Sequence, residues 1–294
     1  MIKNCLKLFL TGIFFFYNLS TQAQFIEIPD SNFRSWLHAN YPACMNKFSM
    51  LDTTCAAILN ANEMDVRKMN INDLTGVQYF KSIEKLICTK NNLVSLPVLP
   101  RRIKYFDCGN NRLEILPMLP DSLERLNCGN NKLTCLPKLP QSLIGIYCPS
   151  NQIIKLSVLP NSLQYLTCFN NRIKKISSLP DSLKWISCEN NNLTVLPKLP
   201  GSIASLVCDN NALKKIPVLP KSLGALMCSN NKLRRLPKLP TSLLYLKCKS
   251  NFLTKLPYLP TSLKILNVEG NKISCLPNMP NSEIEFDMLL PVCE

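Results

Sequence analysis

Cysteine recurs every twenty residues at Cys88, Cys108, Cys128, Cys148, Cys168, Cys188, Cys208, Cys228 and Cys248, and Val268 takes the next place in the column. Such a row of thiols could hold a metal, cycle through disulfides or supply a nucleophile. Each chemistry needs something the pattern lacks. Zinc wants four converging ligands, often in pairs two to four residues apart; the column offers single cysteines, and the chain has one histidine, His38. In-register strand neighbours lie about 4.8 Å apart with parallel Cβ vectors, whereas a disulfide needs Cβ atoms about 3.8 Å apart and turned toward each other. Free cysteine packs as a small apolar residue, and Val268 can fill space but cannot bind metal. The column is therefore expected to be buried packing, with the thiols kept reduced by burial alone.

Asparagine stands three residues after each column position, ten times from Asn91 to Asn271. Its amide is expected to satisfy backbone groups where each strand turns away. Serine at the second place of the unit (Ser122, Ser142 and Ser162, with Arg102 as an exception) suits similar turn work. Other catalytic signals are weak. There is no G-x-S-x-G turn, and no phosphate loop among the scarce glycines. Asp107 and Glu124 give a weak carboxylate pair. No enzyme activity, metal or cofactor is expected.

These columns belong to ten uninterrupted copies of x-S-L-x-x-L-x-C-x-N-N-x-L-x-x-L-P-x-L-P, filling residues 81–280. A fixed period of this size means a solenoid, in which each unit buries its apolar face against its neighbours. Leu166–Thr167–Cys168 alternates as a short strand with one face buried, so stacked copies predict a parallel sheet. The second half of the unit cannot be a helix. Pro197 and Pro200 lack amide donors, fix φ near −65° and push the preceding residues to extended geometry. Polyproline-II-like segments are expected on the outer side. Ser157 and Ser177 replace the first proline in two units.

The phrase L-x-x-L-x-C-x-x-N-x-L resembles the leucine-rich repeat, with cysteine in an aliphatic slot. The L-P-x-L-P ending is similar to the short repeats of secreted bacterial leucine-rich proteins, type III effectors among them. Some of those effectors add a C-terminal ubiquitin-ligase domain with a catalytic cysteine. Only fourteen residues follow the last repeat here, so Cys293 is not expected to take that role. The resemblance implies a non-enzymatic binding protein whose concave sheet is the usual contact face. Carried over by position, that face holds Tyr105, Arg125, Tyr147, Tyr165 and Thr167, then Phe169, Trp185, Glu189 and Tyr245. Tyr147, Tyr165, Phe169 and Trp185 come from three consecutive units and are expected to form one aromatic patch. Such rings anchor protein interfaces and also stack on sugars, so the partner is a protein or glycan ligand.

The formal charge is +15. Residues 81–280 hold 28 Lys/Arg against 9 Asp/Glu, while 24–80 carry a net −2 and 281–294 a net −4. The segment after each asparagine holds 16 basic residues and one acid, Glu114. Lys174, Lys175, Lys214 and Lys215 lie there, with Arg234, Arg235 and Lys238. This flank keeps a leucine-rich surface soluble; alternatively it attracts lipopolysaccharide, nucleic acid or phospholipid headgroups.

Residues 1–23 read as a secretory signal peptide: Lys3 and Lys7, an apolar stretch Leu8–Leu19, then Thr21-Gln22-Ala23. The chain is thus expected to be secreted or held in the cell envelope, with no transmembrane segment after cleavage. Residues 24–80 are expected to form an N-terminal cap. A helix starts near Asp30-Ser31, and Met64–Phe80 resembles a longer, degenerate repeat. The opening Ile28–Phe33 resembles the start of secreted bacterial leucine-rich proteins. Residues 281–294 are expected to cap the other end, since a solenoid must cover its terminal edges. A bridge between Cys44 and Cys55 would tie a cap with little core of its own. One between Cys275 and Cys293 would pin the tail. Cys135 has no evident mate, and sequence does not fix the connectivity.

Overall fold

The structure is a computed structural model describing residues 24–280, 284–288 and 290–293; the expected signal peptide lies outside the described residues. Chain order begins with β1 (Phe25–Ile26), helix α1 (Ser31–Asn40), β2 (Leu51–Asp52), the short helix α2 (Ala56–Leu59) and β3 (Glu63–Asp65). Three-residue strands then follow every twenty residues: β4 (Lys85–Ile87), β5 (Tyr105–Asp107), β6 (Arg125–Asn127), β7 (Gly145–Tyr147) and β8 (Tyr165–Thr167). The series continues through β9 (Trp185–Ser187), β10 (Ser205–Val207), β11 (Ala225–Met227), β12 (Tyr245–Lys247) and β13 (Ile265–Asn267). It closes with β14 (Glu285–Phe286).

Strands β3 to β14 form one twelve-stranded parallel sheet in chain order. The repeat length sets the register: Leu166 pairs with Ile186, and Leu206 with Leu226. Outside the repeats the stack gains a coil at each end. Met64 opposes Leu86 across a longer unit, and Leu266 opposes Phe286. The middle residue of each strand points into the core, and the residues flanking it face the concave side. Nine ladder cysteines are fully buried and Val268 is 1% exposed. Each fully buried leucine contributes about 1.5–3 kcal/mol, and the repeat supplies such positions in every coil.

The turn after each strand explains both asparagines of the N-N pair. The first occupies the left-handed region, at φ between 51 and 59° from Lys90 to Ser250. Asparagine tolerates that conformation better than most residues, and Gly270 fills the same place at φ 73°. The second asparagine ties coils together. Asn151 Oδ1 accepts from the Leu133 backbone N–H at 2.9 Å, and its Nδ2 donates to the Cys128 and Cys148 carbonyls at 3.0 and 3.3 Å. Serine works on the opposite side of the coil. Ser162 Oγ donates to the Gln141 and Leu143 carbonyls of the preceding unit.

The proline-rich outer segments carry no regular secondary structure beyond isolated bridges among the described residues. One parallel bridge, Lys155 to Lys175, occurs in the two units where Ser157 and Ser177 replace proline.

At the N-terminus, the Asp30 carboxylate caps α1 by accepting from the Phe33 N–H at 2.8 Å. It also accepts from the Asn72 N–H at 2.8 Å, which ties the helix to the first coil. Burial opposes the charged carboxylate, but donors from Asn72 and Phe33 outweigh it and hold its pKa below the ordinary value. Disulfides join Cys44 to Cys55 and Cys275 to Cys293. The second sits beside the Leu276–Val292 bridge, which folds the tail back onto the last repeat. Cys135 is free and exposed.

Candidate binding face

The parallel ladder turns matching positions into straight rows. The first strand residue of each coil gives the row Tyr105, Arg125, Gly145, Tyr165, Trp185, Ser205, Ala225, Tyr245. The third gives Asp107, Asn127, Tyr147, Thr167, Ser187. Tyr165 and Trp185 are direct cross-strand neighbours, and 49% and 44% exposed. Tyr147 is similarly exposed and meets Phe169 edge-on, at a centroid distance of 6.4 Å. The expected single patch is thus one ring contact, Tyr147 with Phe169, and two neighbouring exposed rings, Tyr165 and Trp185, with Thr167 between Tyr165 and Phe169 in the chain. Tyr147 leans toward the turn side, because its ring lies against Gly129, where any Cβ would come within 3.1 Å of it.

Tyr245 stands apart, separated from Trp185 by the small residues Ser205 and Ala225. Glu189 accepts from Ser187 Oγ at 2.7 Å and lies in the turn row next to Asp209. Burial raises the Asp209 pKa; the Ser229 N–H opposes this and the Glu189 charge adds to it. Asp107 accepts from the Gly109 N–H and serves its own turn. Glu124 is half-buried beside Arg125.

An open cleft of about 550 Å³ lies around Gly145, lined by Tyr105, Arg125, Ile144, Tyr147 and Tyr165 among others. Gly145 opens it, and is not among the site residues expected from sequence. Its signal was available: a glycine interrupts a row whose neighbours are Tyr105, Arg125, Tyr165 and Trp185. A Cβ added at Gly145 would meet nothing within 4 Å. Arg125 is exposed, and among the described residues its guanidinium forms no ion pair or hydrogen bond.

Lys174, Lys175, Lys214, Lys215, Arg234, Arg235 and Lys238 lie on the flank and outer side, away from the aromatic row, and are exposed or nearly so. The ion pairs among the described residues involve the concave side and the ends, including Lys85–Glu63, Lys104–Glu84 and Lys249–Asp287. None involves the flank. Among the described residues no group of three or more His, Cys, Asp or Glu could hold a metal, and no helix is long and apolar enough to cross a membrane.

This architecture is that of the leucine-rich repeat solenoids. The FNIP Repeat family model matches residues 151–188. YopM, a leucine-rich effector protein from Yersinia pestis, is 35% identical with a TM-score of 0.70, over 76% of this chain and 65% of that one. YopM from Yersinia enterocolitica WA-314 is 32% identical with a TM-score of 0.65, over 77% and 55%. The functional domain of InlJ from Listeria monocytogenes, described as including a cysteine ladder, is 26% identical with a TM-score of 0.75, over 90% and 61%. The chain therefore spans less than two thirds of the length of each of these structures. No curated protein matches it.

Proposed function

We propose that this chain is a secreted, non-enzymatic interaction protein that captures a protein partner on its concave face. One observation carries the reading: Tyr147, Tyr165 and Trp185 are all more than two fifths exposed on one face, the two tyrosines lining one cleft and Trp185 standing next to Tyr165. Solvent-facing rings gathered this way are typical interface anchors. Similarity to YopM and InlJ supports an interaction scaffold. The test is affinity capture from host-protein and envelope extracts, comparing the mature chain with a Tyr165→Ala/Trp185→Ala variant. The variant should retain the wild-type circular dichroism and lose capture at least tenfold, as expected for hot-spot truncation. Unchanged capture would remove the concave face from consideration.

A second reading has its own observation, the flank cations without ion pairs among the described residues. It gives the flank a role against an anionic surface such as lipopolysaccharide. Retention on immobilised heparin should fall steeply with salt. Reversing Lys214, Lys215, Arg234 and Arg235 to Glu should remove it. Salt-independent retention would leave the flank with solubility as its role.

A further inference from the structure

The row of first strand residues is a stack of side chains spaced by the strand repeat, about 4.8 Å. Gly145 leaves one place in that stack empty, with Arg125 on one side and Tyr165 on the other. The gap is not a backbone device. Among the described residues, the glycines in the left-handed region are Gly76 and Gly270 and not Gly145, whose Cβ would project into open space. A larger side chain could stand here, and none does.

We infer that this vacancy is a slot for one aromatic side chain of a partner protein, held between the Arg125 guanidinium and the Tyr165 ring. The inference rests on the concave-face reading above and names the group that face would take. Size comes first. A ring continuing the stack would lie about 4.8 Å from each neighbour, inside the range of about 6 Å for a cation over a ring and of 4.5–7 Å for ring pairs, roughly. Chemistry comes second. Arg125 has no carboxylate of its own among the described residues, so its guanidinium is free to stack. A sugar ring would stack on Tyr165 but offers no π face to a cation, and an aliphatic side chain offers neither partner a match. Surroundings come third. Ile144 adds an apolar wall, and Tyr105 and Tyr147 complete the rim. Because the cleft opens onto the face that also carries Trp185, the ring arrives as part of a larger protein surface.

The test uses the mature chain labelled with ¹⁵N and three probes: N-acetyl-tryptophanamide, N-acetyl-leucinamide and methyl β-glucopyranoside. The tryptophanamide should shift the Gly145 amide signal saturably in the millimolar range, and the other two should not. Gly145→Val, which fills the slot with a residue suited to a strand, should weaken the tryptophanamide at least tenfold. Arg125→Gln should weaken it about two- to fivefold, the size of an exposed cation–π contact. Gly145→Ser is the companion variant should valine disturb the fold, with an intermediate loss expected. Equal response to leucinamide or glucoside overturns the inference, as does no response to any probe, or undiminished tryptophanamide binding by Gly145→Val. Capture lost by Tyr165→Ala/Trp185→Ala but kept by Gly145→Val would sink the slot and leave the concave-face reading standing. Capture kept by both would sink that reading first.

Discussion

The same amino acid does opposite work in the middle of this molecule and at its ends. Along the array, the nine ladder cysteines from Cys88 to Cys248 are free, buried thiols packed behind the sheet. At the two ends, Cys44–Cys55 and Cys275–Cys293 are cross-linked. Surroundings account for the difference. A coil inside the stack has neighbours on both sides and gains its stability by burial, so its cysteine need only be small and apolar. An end coil has one neighbour, and a covalent tie substitutes for the missing contacts. Burial also keeps the interior thiols inert. It pushes their pKa values up, to about 12 at Cys148 and Cys248, so the reactive thiolate is scarce at physiological pH.

Removing a tie should give the largest effect. Cys44→Ser/Cys55→Ser should cost about 3 kcal/mol by the loop-entropy estimate, read as an earlier urea transition, and should fray the cap before the array. An unchanged transition would mean that the Asp30 contacts suffice without the bridge. A ladder position should respond next, and selectively. Cys168→Ser places a hydroxyl where burial is complete and should cost about 1–3 kcal/mol, whereas Cys168→Val should stay within about 1.5 kcal/mol, as Val268 already illustrates. Equal losses would show that the sulfur itself matters. The smallest perturbation is chemical labelling. In the native chain at pH 8, a maleimide should modify Cys135 quickly and the nine ladder thiols only after unfolding, counted by mass. Rapid native labelling of several ladder thiols would collapse the distinction between middle and ends.

Much of this was legible in the sequence because a strict period converts letters into rows. The strands, the shared register, the buried thiols and the binding role of the second asparagine all follow from twenty-residue spacing and apolar alternation. What escaped depended on side-chain direction or on an absent atom. Tyr147 belongs with Phe169 rather than Tyr165 because its ring turns toward Gly129, a choice of rotamer that spacing does not dictate. The first asparagine of each pair is selected by its left-handed backbone, a conformation that the repeat spacing alone does not specify. Gly145 contributes a vacancy, which no side chain in the sequence announces. At the ends the period fails. Strand β14 pairs with β13 in register, yet the tail closes by the Leu276–Val292 bridge and a disulfide rather than by another proline segment.

Since each asparagine amide clasps its own coil and the one before it, the rod behaves like a chain of identical links. Excising one complete link would let the flanking links rejoin with their clasps intact, and would bring Tyr245 one rung nearer Trp185. Excising half a link would leave an amide with nothing to grip. Length in this architecture can therefore change in whole steps, and the distance between two contact points on the face changes by the same steps.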